Sequence, residues 1–226
     1  MKEFTKDVIQ NALDNAIKDV MRNEYQLLKD KCSERAIVHW LANYFLRRIE
    51  MSDFAKAHPD FLLKRDYKRE NFVAVDSDSR LGYTVDVEYN RVGEQGESKQ
   101  LDIFCRNCEY NEKCPQKCME EWNEMNNERQ TRSAMLDMVF HQRRQNKEGN
   151  NILCVEVKTT STNRDNYKKL CDQKRIDELV RGSGMISPQY QFGAAIHIYE
   201  ENKADVWFYE RGREEPNEAY TVELKE

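Results

Sequence analysis

Apolar positions in the first part of the chain recur every three or four residues. Val8, Ile9, Leu13, Ile17, Val20 and Met21 form one stripe, and Ile37, Val38, Leu41, Phe45 and Leu46 form another. The stretch from Lys2 to about Arg48 is therefore expected to be helical. A second helix should open near Ser33, whose hydroxyl suits an N-cap. Residues 50–80 are charged and irregular, with a short helix expected around Asp53 to Leu63. The period then changes to two: Tyr83-Thr-Val-Asp-Val-Glu-Tyr-Asn90 alternates as a strand. Gly93 to Lys99 reads as a polar turn, and Met119 to Gln130 as a polar helix. Two β-rich stretches follow, Ala134 to His141 and Asn151 to Thr160, with Gly149 and Asn150 as turn formers between them. Asp165 to Val180 is helical in pattern. Phe192 to Tyr199 and Ala204 to Tyr209 are strands joined by the turn Glu200-Glu-Asn-Lys203. The order helix, strand, insertion, strand, strand, helix, strand, strand predicts a mixed α/β chain.

The 226 residues suit one main domain over 1–226, with residues 100–130 inserted in it. Hydrophobic residues at 39% and charged residues at 34% describe a globular protein with a heavily charged surface. No apolar run approaches the roughly 18 to 20 residues that span a bilayer, so no membrane partner is expected. The N-terminal amphipathic stretch lacks the compact apolar run and small-residue cleavage site of a signal peptide, and a cytoplasmic location is expected. A formal net charge of −5 excludes a histone-like or coating role. Contact with phosphate would need a local basic patch or a bound metal.

The segment SAMLDMVFHQRRQNKEGNNILCVEVKTT carries the chemistry. In the apolar strand Ile-Leu-Cys-Val-Glu-Val-Lys, Glu156 and Lys158 share one face and Val155 and Val157 the other. If this strand pairs with Ala134 to His141, Asp137 lies opposite Glu156. A slip that pairs Asp137 with Val155 would send the carboxylates to opposite faces. Asp137 and Glu156 are hard oxygen ligands suited to Mg²⁺ or Mn²⁺, and the Val157 carbonyl would complete the inner shell. Lys158 would orient the attacking water or take its proton for hydrolysis of a phosphodiester. The bland alternative is a cross-strand salt bridge on a solvated face.

The arrangement Asp-x18-Glu-x-Lys with its flanking apolar strands resembles the PD-(D/E)xK nuclease superfamily, the restriction-endonuclease-like fold. Three blocks, SERAIVHWLANYF (33–45), VDVEYNR (85–91) and LDMVFHQR…NNILCVEVK (136–158), are similar to a group of small stand-alone bacterial members. The resemblance implies an αβββαβ core with a mixed sheet flanked by helices. It also implies metal-dependent cleavage of nucleic acid, DNA in the first instance, with a homodimer where both strands of a duplex are cut. It puts Asp137, Glu156 and Lys158 on the catalytic motif and Glu34 on the N-terminal helix carboxylate that approaches the site. Otherwise Glu34 is an exposed first-turn acid favoured by the helix dipole. His39, Glu88 and Asn90 read as buried structural polar residues or as groups touching substrate. Lys168, Lys169, Lys174 and Arg175 read as a solvated helix face or as phosphate contacts. Leu136 departs from the pattern, which usually has proline before the aspartate.

Seven cysteines are unevenly placed, and Cys105, Cys108, Cys114 and Cys118 fall within 14 residues. Cys32, Cys154 and Cys171 are expected as small core hydrophobes. The clustered spacing C-x2-C-x5-C-x3-C can close a tetrahedral Zn²⁺ site or hold a 4Fe–4S cluster. It is similar to the cysteine run of iron–sulfur members of the same superfamily, including CRISPR-associated exonucleases. Those take their fourth cysteine from far away, whereas Cys118 is local, which favours zinc. Either metal would staple a segment with almost no apolar content. Two other readings stand beside the nuclease. One is a non-cleaving nuclease-fold module that binds nucleic acid or protein. The other is a redox or iron sensor gated by the cysteines.

Overall fold

The computed structural model describes residues 4–58, 83–89, 91–92, 97–98, 100–102, 131–133, 136–142, 150–159, 166–181, 189–213 and 218–225. Helix α1 (Lys6–Asn23) starts at Thr5, whose hydroxyl accepts the Val8 N–H at 3.4 Å. A one-turn helix α2 (Tyr25–Lys29) leads to α3 (Glu34–Met51) and the short α4 (Asp53–Ala57). Ser33 occupies the cap position of α3 as expected, but its side chain makes no capping hydrogen bond. Both apolar stripes face the core. Ile9, Leu13, Ile17, Val20 and Met21 of α1 are buried, as are Ile37, Val38, Leu41, Phe45 and Leu46 of α3. Arg48 clamps the two helices together, donating through Nε and Nη2 to the buried Asp19 carboxylate at 2.7 and 2.6 Å. A bidentate guanidinium pair of this kind fixes relative orientation as well as adding charge-assisted bonds.

The sheet holds six strands: β1 (Tyr83–Tyr89), β6 (Leu136–Gln142), β7 (Asn151–Lys158), β8 (Phe192–Glu200), β9 (Lys203–Glu210) and β10 (Glu218–Glu223), in that spatial order. All neighbours are antiparallel except β7 and β8, which are parallel and connected through α5 (Asn166–Arg181). A parallel pair needs a crossover, and α5 supplies it across one face of the sheet. β7 is the best covered strand, buried from Asn151 through Val157, as its apolar composition predicts. The chain is thus α/β, with a six-stranded mixed sheet between helices. β10 is an edge strand absent from the elements expected from the sequence. Its residues Glu218–Glu223 are mostly exposed, and only Val222 is buried against the core.

Between β1 and β6 lie four short strands: β2 (Arg91–Val92), β3 (Glu97–Ser98), β4 (Gln100–Asp102) and β5 (Thr131–Ser133). β2 pairs with β3, so Glu97 and Ser98, within the stretch expected as a polar turn at Gly93 to Lys99, are strand residues, and the rest of that stretch lies outside the described residues. β4 pairs with β5, Gln100 with Ser133 and Asp102 with Thr131. Asp102 and Thr131, which flank the segment 103–130, are therefore partners in this ladder. That segment, with Cys105, Cys108, Cys114, Cys118 and the expected helix Met119 to Gln130, lies outside the described residues, as does residue 59–63 of the expected short helix.

The two faces of the sheet are packed differently. Against α1 and α3 lie Val85, Met138, Phe140, Leu153, Val155, Val157, Ala194 and Ile196. Phe4 plugs one end, its ring 5.1 Å from Phe140, 5.3 Å from Tyr83 and 4.4 Å from Phe54, all within aromatic contact range. On the other face, Ile176, Leu179 and Val180 of α5 pack on Val139, Cys154, Ala195 and Tyr209. Gly193 sets how near α5 comes to β8. A β-carbon there would lie 2.4 Å from Ile176 Cγ2 and 2.7 Å from Val180 Cγ2. Leu136 is fully buried in this second cluster.

Candidate active site

β6 and β7 pair with Met138 opposite Val155 and Val139 opposite Cys154. Extended one step beyond its last pair, this register sets Asp137 across from Glu156. This is the register that keeps both carboxylates on the face covered by α5. Asp137 does not simply point outward: its Oδ2 accepts the backbone N–H of Val157 at 2.7 Å, where the β6–β7 ladder ends.

Glu156 and Lys158 share the α5 face of β7. Glu156 is only 3% exposed, and its Oε1 accepts a hydrogen bond from Arg175 Nη1 of α5 at 2.7 Å. Lys158 gathers the elements. Its Nζ donates to Glu34 Oε1 at the start of α3, at 2.9 Å, and to the Val157 carbonyl at 3.1 Å. It also lies 3.7 Å from Asp172 Oδ2 on α5. Arg175 reaches Asp172 Oδ1 at 3.4 Å, so these two α5 side chains, three apart on one helix face, work together. Asp172 Oδ2 is buried and takes no hydrogen bond. A small recess lined by Glu156, Lys158, Asp172, Gln173, His197 and Trp207 opens beside them, with room for little more than one water molecule.

Four carboxylates (Glu34, Asp137, Glu156, Asp172) thus surround two cations (Lys158, Arg175) at the carboxyl end of β7. Burial and the crowding of charge both act on these groups. Burial pushes the Glu156 carboxyl well above the usual carboxylate range; Arg175 opposes this, and Asp137 and Asp172 add to it. Burial likewise raises Asp172, against the pull of Lys158 and Arg175. Burial alone would depress Lys158, but Asp172, Glu34 and Asp137 outweigh it and raise its pKa, so the ammonium stays charged.

Sequence reasoning brought Asp137, Glu156, Lys158 and Glu34 together, and the structure places all four at this end of the sheet. It missed Asp172, and it read Arg175 as part of a solvated or phosphate-contacting helix face. Arg175 instead turns inward from the helix that covers β7 and sets a counter-charge against the buried Glu156 carboxyl. His39, expected as buried or near substrate, is exposed on α3 and hydrogen-bonded to Asn43 at 3.1 Å. Asn90 and the Glu88, Lys168, Lys169 and Cys171 side chains lie outside the described residues. Cys154 is buried as expected, whereas Cys32 is only half-buried. Among the described residues, no three acidic, histidine or cysteine side chains converge on one metal position. Asp137 is occupied by the Val157 amide and Glu156 by Arg175.

No family model, no curated protein and no solved structure matches the chain. Among the described residues no helix is long and apolar enough to cross a membrane.

Proposed function

We propose that the chain is a metal-dependent phosphodiesterase of the PD-(D/E)xK type that cleaves nucleic acid, with DNA as the first substrate to test. One observation carries the reading. Asp137, Glu156 and Lys158 meet at the end of adjacent strands, with Glu34 from α3 joining them, in a chain whose elements run α1/α3, β1, β6, β7, α5, β8. That succession supports a restriction-endonuclease-like αβββαβ core, with β9 and β10 as additions to it.

The donor set fits a hard divalent cation. All candidate ligands are oxygens, and Asp172 Oδ2 beside them is a buried acceptor with no hydrogen bond. Asp137, Glu156 and the Val157 carbonyl would hold Mg²⁺ or Mn²⁺. When bound, the ion supplies Lewis-acid stabilisation of charge on the phosphate and a more acidic water. The two carboxylates must turn from the Val157 amide and from Arg175 to do so. Lys158, kept protonated by its acidic neighbours, acts as a fixed positive donor. It orients the attacking water and offsets charge on the phosphoryl oxygens instead of taking a proton. Glu34 holds the Lys158 ammonium from the α3 side.

A binding module without cleavage is the second reading, favoured by Glu156 being already satisfied by Arg175. Incubation of supercoiled plasmid, linear duplex and single-stranded DNA and RNA with Mg²⁺ or Mn²⁺ separates the two. Cleavage that needs the ion and disappears in Asp137→Ala and Lys158→Ala supports the enzyme. Binding with no turnover by any folded, metal-loaded sample sinks it. Zinc at Cys105, Cys108, Cys114 and Cys118, with an iron–sulfur cluster as the alternative, is part of the same proposal. Elemental analysis and the colour of protein purified without air tell them apart.

A further inference from the structure

The contact that most needs explaining is the one between Arg175 and Glu156. A carboxylate that is to hold a divalent cation is here engaged by a guanidinium at 2.7 Å, in a position only 3% exposed. An ionised Glu156 buried without a counter-charge would cost several kcal/mol. In this structure the cation that lies against it is Arg175. Arg175 has a second carboxylate within reach, Asp172 Oδ1 at 3.4 Å, on its own face of α5. Asp172 in turn keeps Oδ2 without a hydrogen bond, next to Lys158 at 3.7 Å. The guanidinium can thus give up one partner and keep, or strengthen, the other without crossing solvent.

We propose that Arg175 is a positioning residue for Glu156: it stands in for the divalent cation in the metal-free protein and withdraws onto Asp172 when the cation binds. This rests on the reading of Asp137 and Glu156 as metal ligands. The exchange involves no bond making or breaking beyond hydrogen bonds and ion pairs. Its physical basis is that a unit positive charge beside a ligand oxygen both preorganises that carboxylate as an anion and repels the incoming ion. Arg175 therefore sets the ion affinity, and Asp172 keeps the displaced guanidinium from being stranded.

The test is a Mn²⁺ titration of the full chain at pH 8, with free ion followed by its electron paramagnetic resonance signal. Wild type, Arg175→Gln and Arg175→Lys are compared after circular dichroism shows each to be folded. Removing the competing charge should tighten Mn²⁺ binding by about fivefold or more in Arg175→Gln, with Arg175→Lys in between. In wild type, adding Mg²⁺ should move the Arg175 Nε–H resonance in a nitrogen-15 NMR spectrum, and Asp172→Asn should weaken that movement. If Arg175→Gln does not fold, the wild-type NMR titration decides. Unchanged or weaker Mn²⁺ binding in a folded Arg175→Gln, or an Arg175 resonance that ignores saturating Mg²⁺, overturns the proposal. Should wild type cleave DNA with Mn²⁺ while Arg175→Gln binds it no tighter, only the role of Arg175 falls. If neither wild type nor either variant binds Mn²⁺, the metal-site reading falls and this inference falls with it.

Discussion

The two faces of the central sheet solve opposite problems. Against α1 and α3 the sheet presents Val85, Phe140, Leu153, Val155, Val157 and Ile196, a surface with almost no polar atoms. Against α5 it presents a smaller apolar patch, Val139, Cys154, Ala195 and Tyr209, and then runs into Glu156, Lys158, Asp172 and Arg175. The first face gains stability by removing apolar area from water. The second gives some of that gain up by burying charge, and the cost is visible in the raised carboxyls of Glu156 and Asp172. Because β7 serves both faces through alternate residues, one strand is at once the centre of the core and the base of the charged site. Burial of charge where apolar residues would pack better is what singles this face out for the proposed chemistry.

This contrast makes the two faces fail differently. The largest effect belongs to the charged face: Asp137→Ala or Lys158→Ala should lower metal-dependent DNA cleavage by on the order of 10³-fold, as measured by initial rates. Urea midpoints should move far less than in a core variant, and a collapse of the fold in both would erase the contrast. On the apolar face, Phe45→Ala removes a fully buried ring in contact with Phe140 and should cost about 3–5 kcal/mol in urea unfolding. A loss under about 1 kcal/mol would mean that this face is not the core. Gly193→Val tests how tightly α5 is seated. Its added methyls meet Ile176 and Val180, and a loss of about 1–3 kcal/mol is expected.

A subtler difference appears with pH. Glu156 and Asp172 have carboxyls raised in the folded protein, so the folded state holds their protons more tightly than the unfolded chain does. Their contribution is fully present below the ordinary carboxylate pKa and is lost as pH rises through the raised values. As pH falls toward the ordinary carboxylate range the metal-free protein should therefore become more stable, by at most about 1.4 kcal/mol per pH unit for each group. Glu156→Gln should flatten that slope, and Mg²⁺ should oppose it. Denaturation curves across this range that show wild type and Glu156→Gln with the same slope would remove the buried charge from the account. The smallest change is expected at Lys174, exposed on α5 one residue from Arg175. Lys174→Ala should leave stability within about 0.5 kcal/mol.

Much of the scaffold was legible without coordinates. The stripes of α1 and α3, the alternation of β1, and the central strands β6 and β7 follow from periods of 3.6 and 2, which depend only on neighbours in sequence. The same alternation put Glu156 and Lys158 on one face, and the apolar setting of the strand marked them as unusual. β10 was left unread although Tyr220, Val222 and Leu224 alternate with Thr221 and Glu223, because the pattern is short and most of the strand is exposed at the sheet edge. The short β2–β3 hairpin was not legible, because its two-residue strands are too brief to show a period.

What the chain determined by itself, then, is a set of elements and a carboxylate–lysine pattern on one strand. Which side chains meet that pattern was decided by tertiary structure. Arg175 and Asp172 sit on a helix whose other charges make it read as a solvated face, and only the docking of α5 over β7 turns these two inward. That docking depends in turn on the bare backbone at Gly193. Glu34 is an ordinary first-turn acid until α3 is laid across the sheet and brings it 2.9 Å from Lys158, across 124 positions of sequence. Local periodicity encodes which way a residue faces, whereas a site is made where facing surfaces from distant segments close on one another.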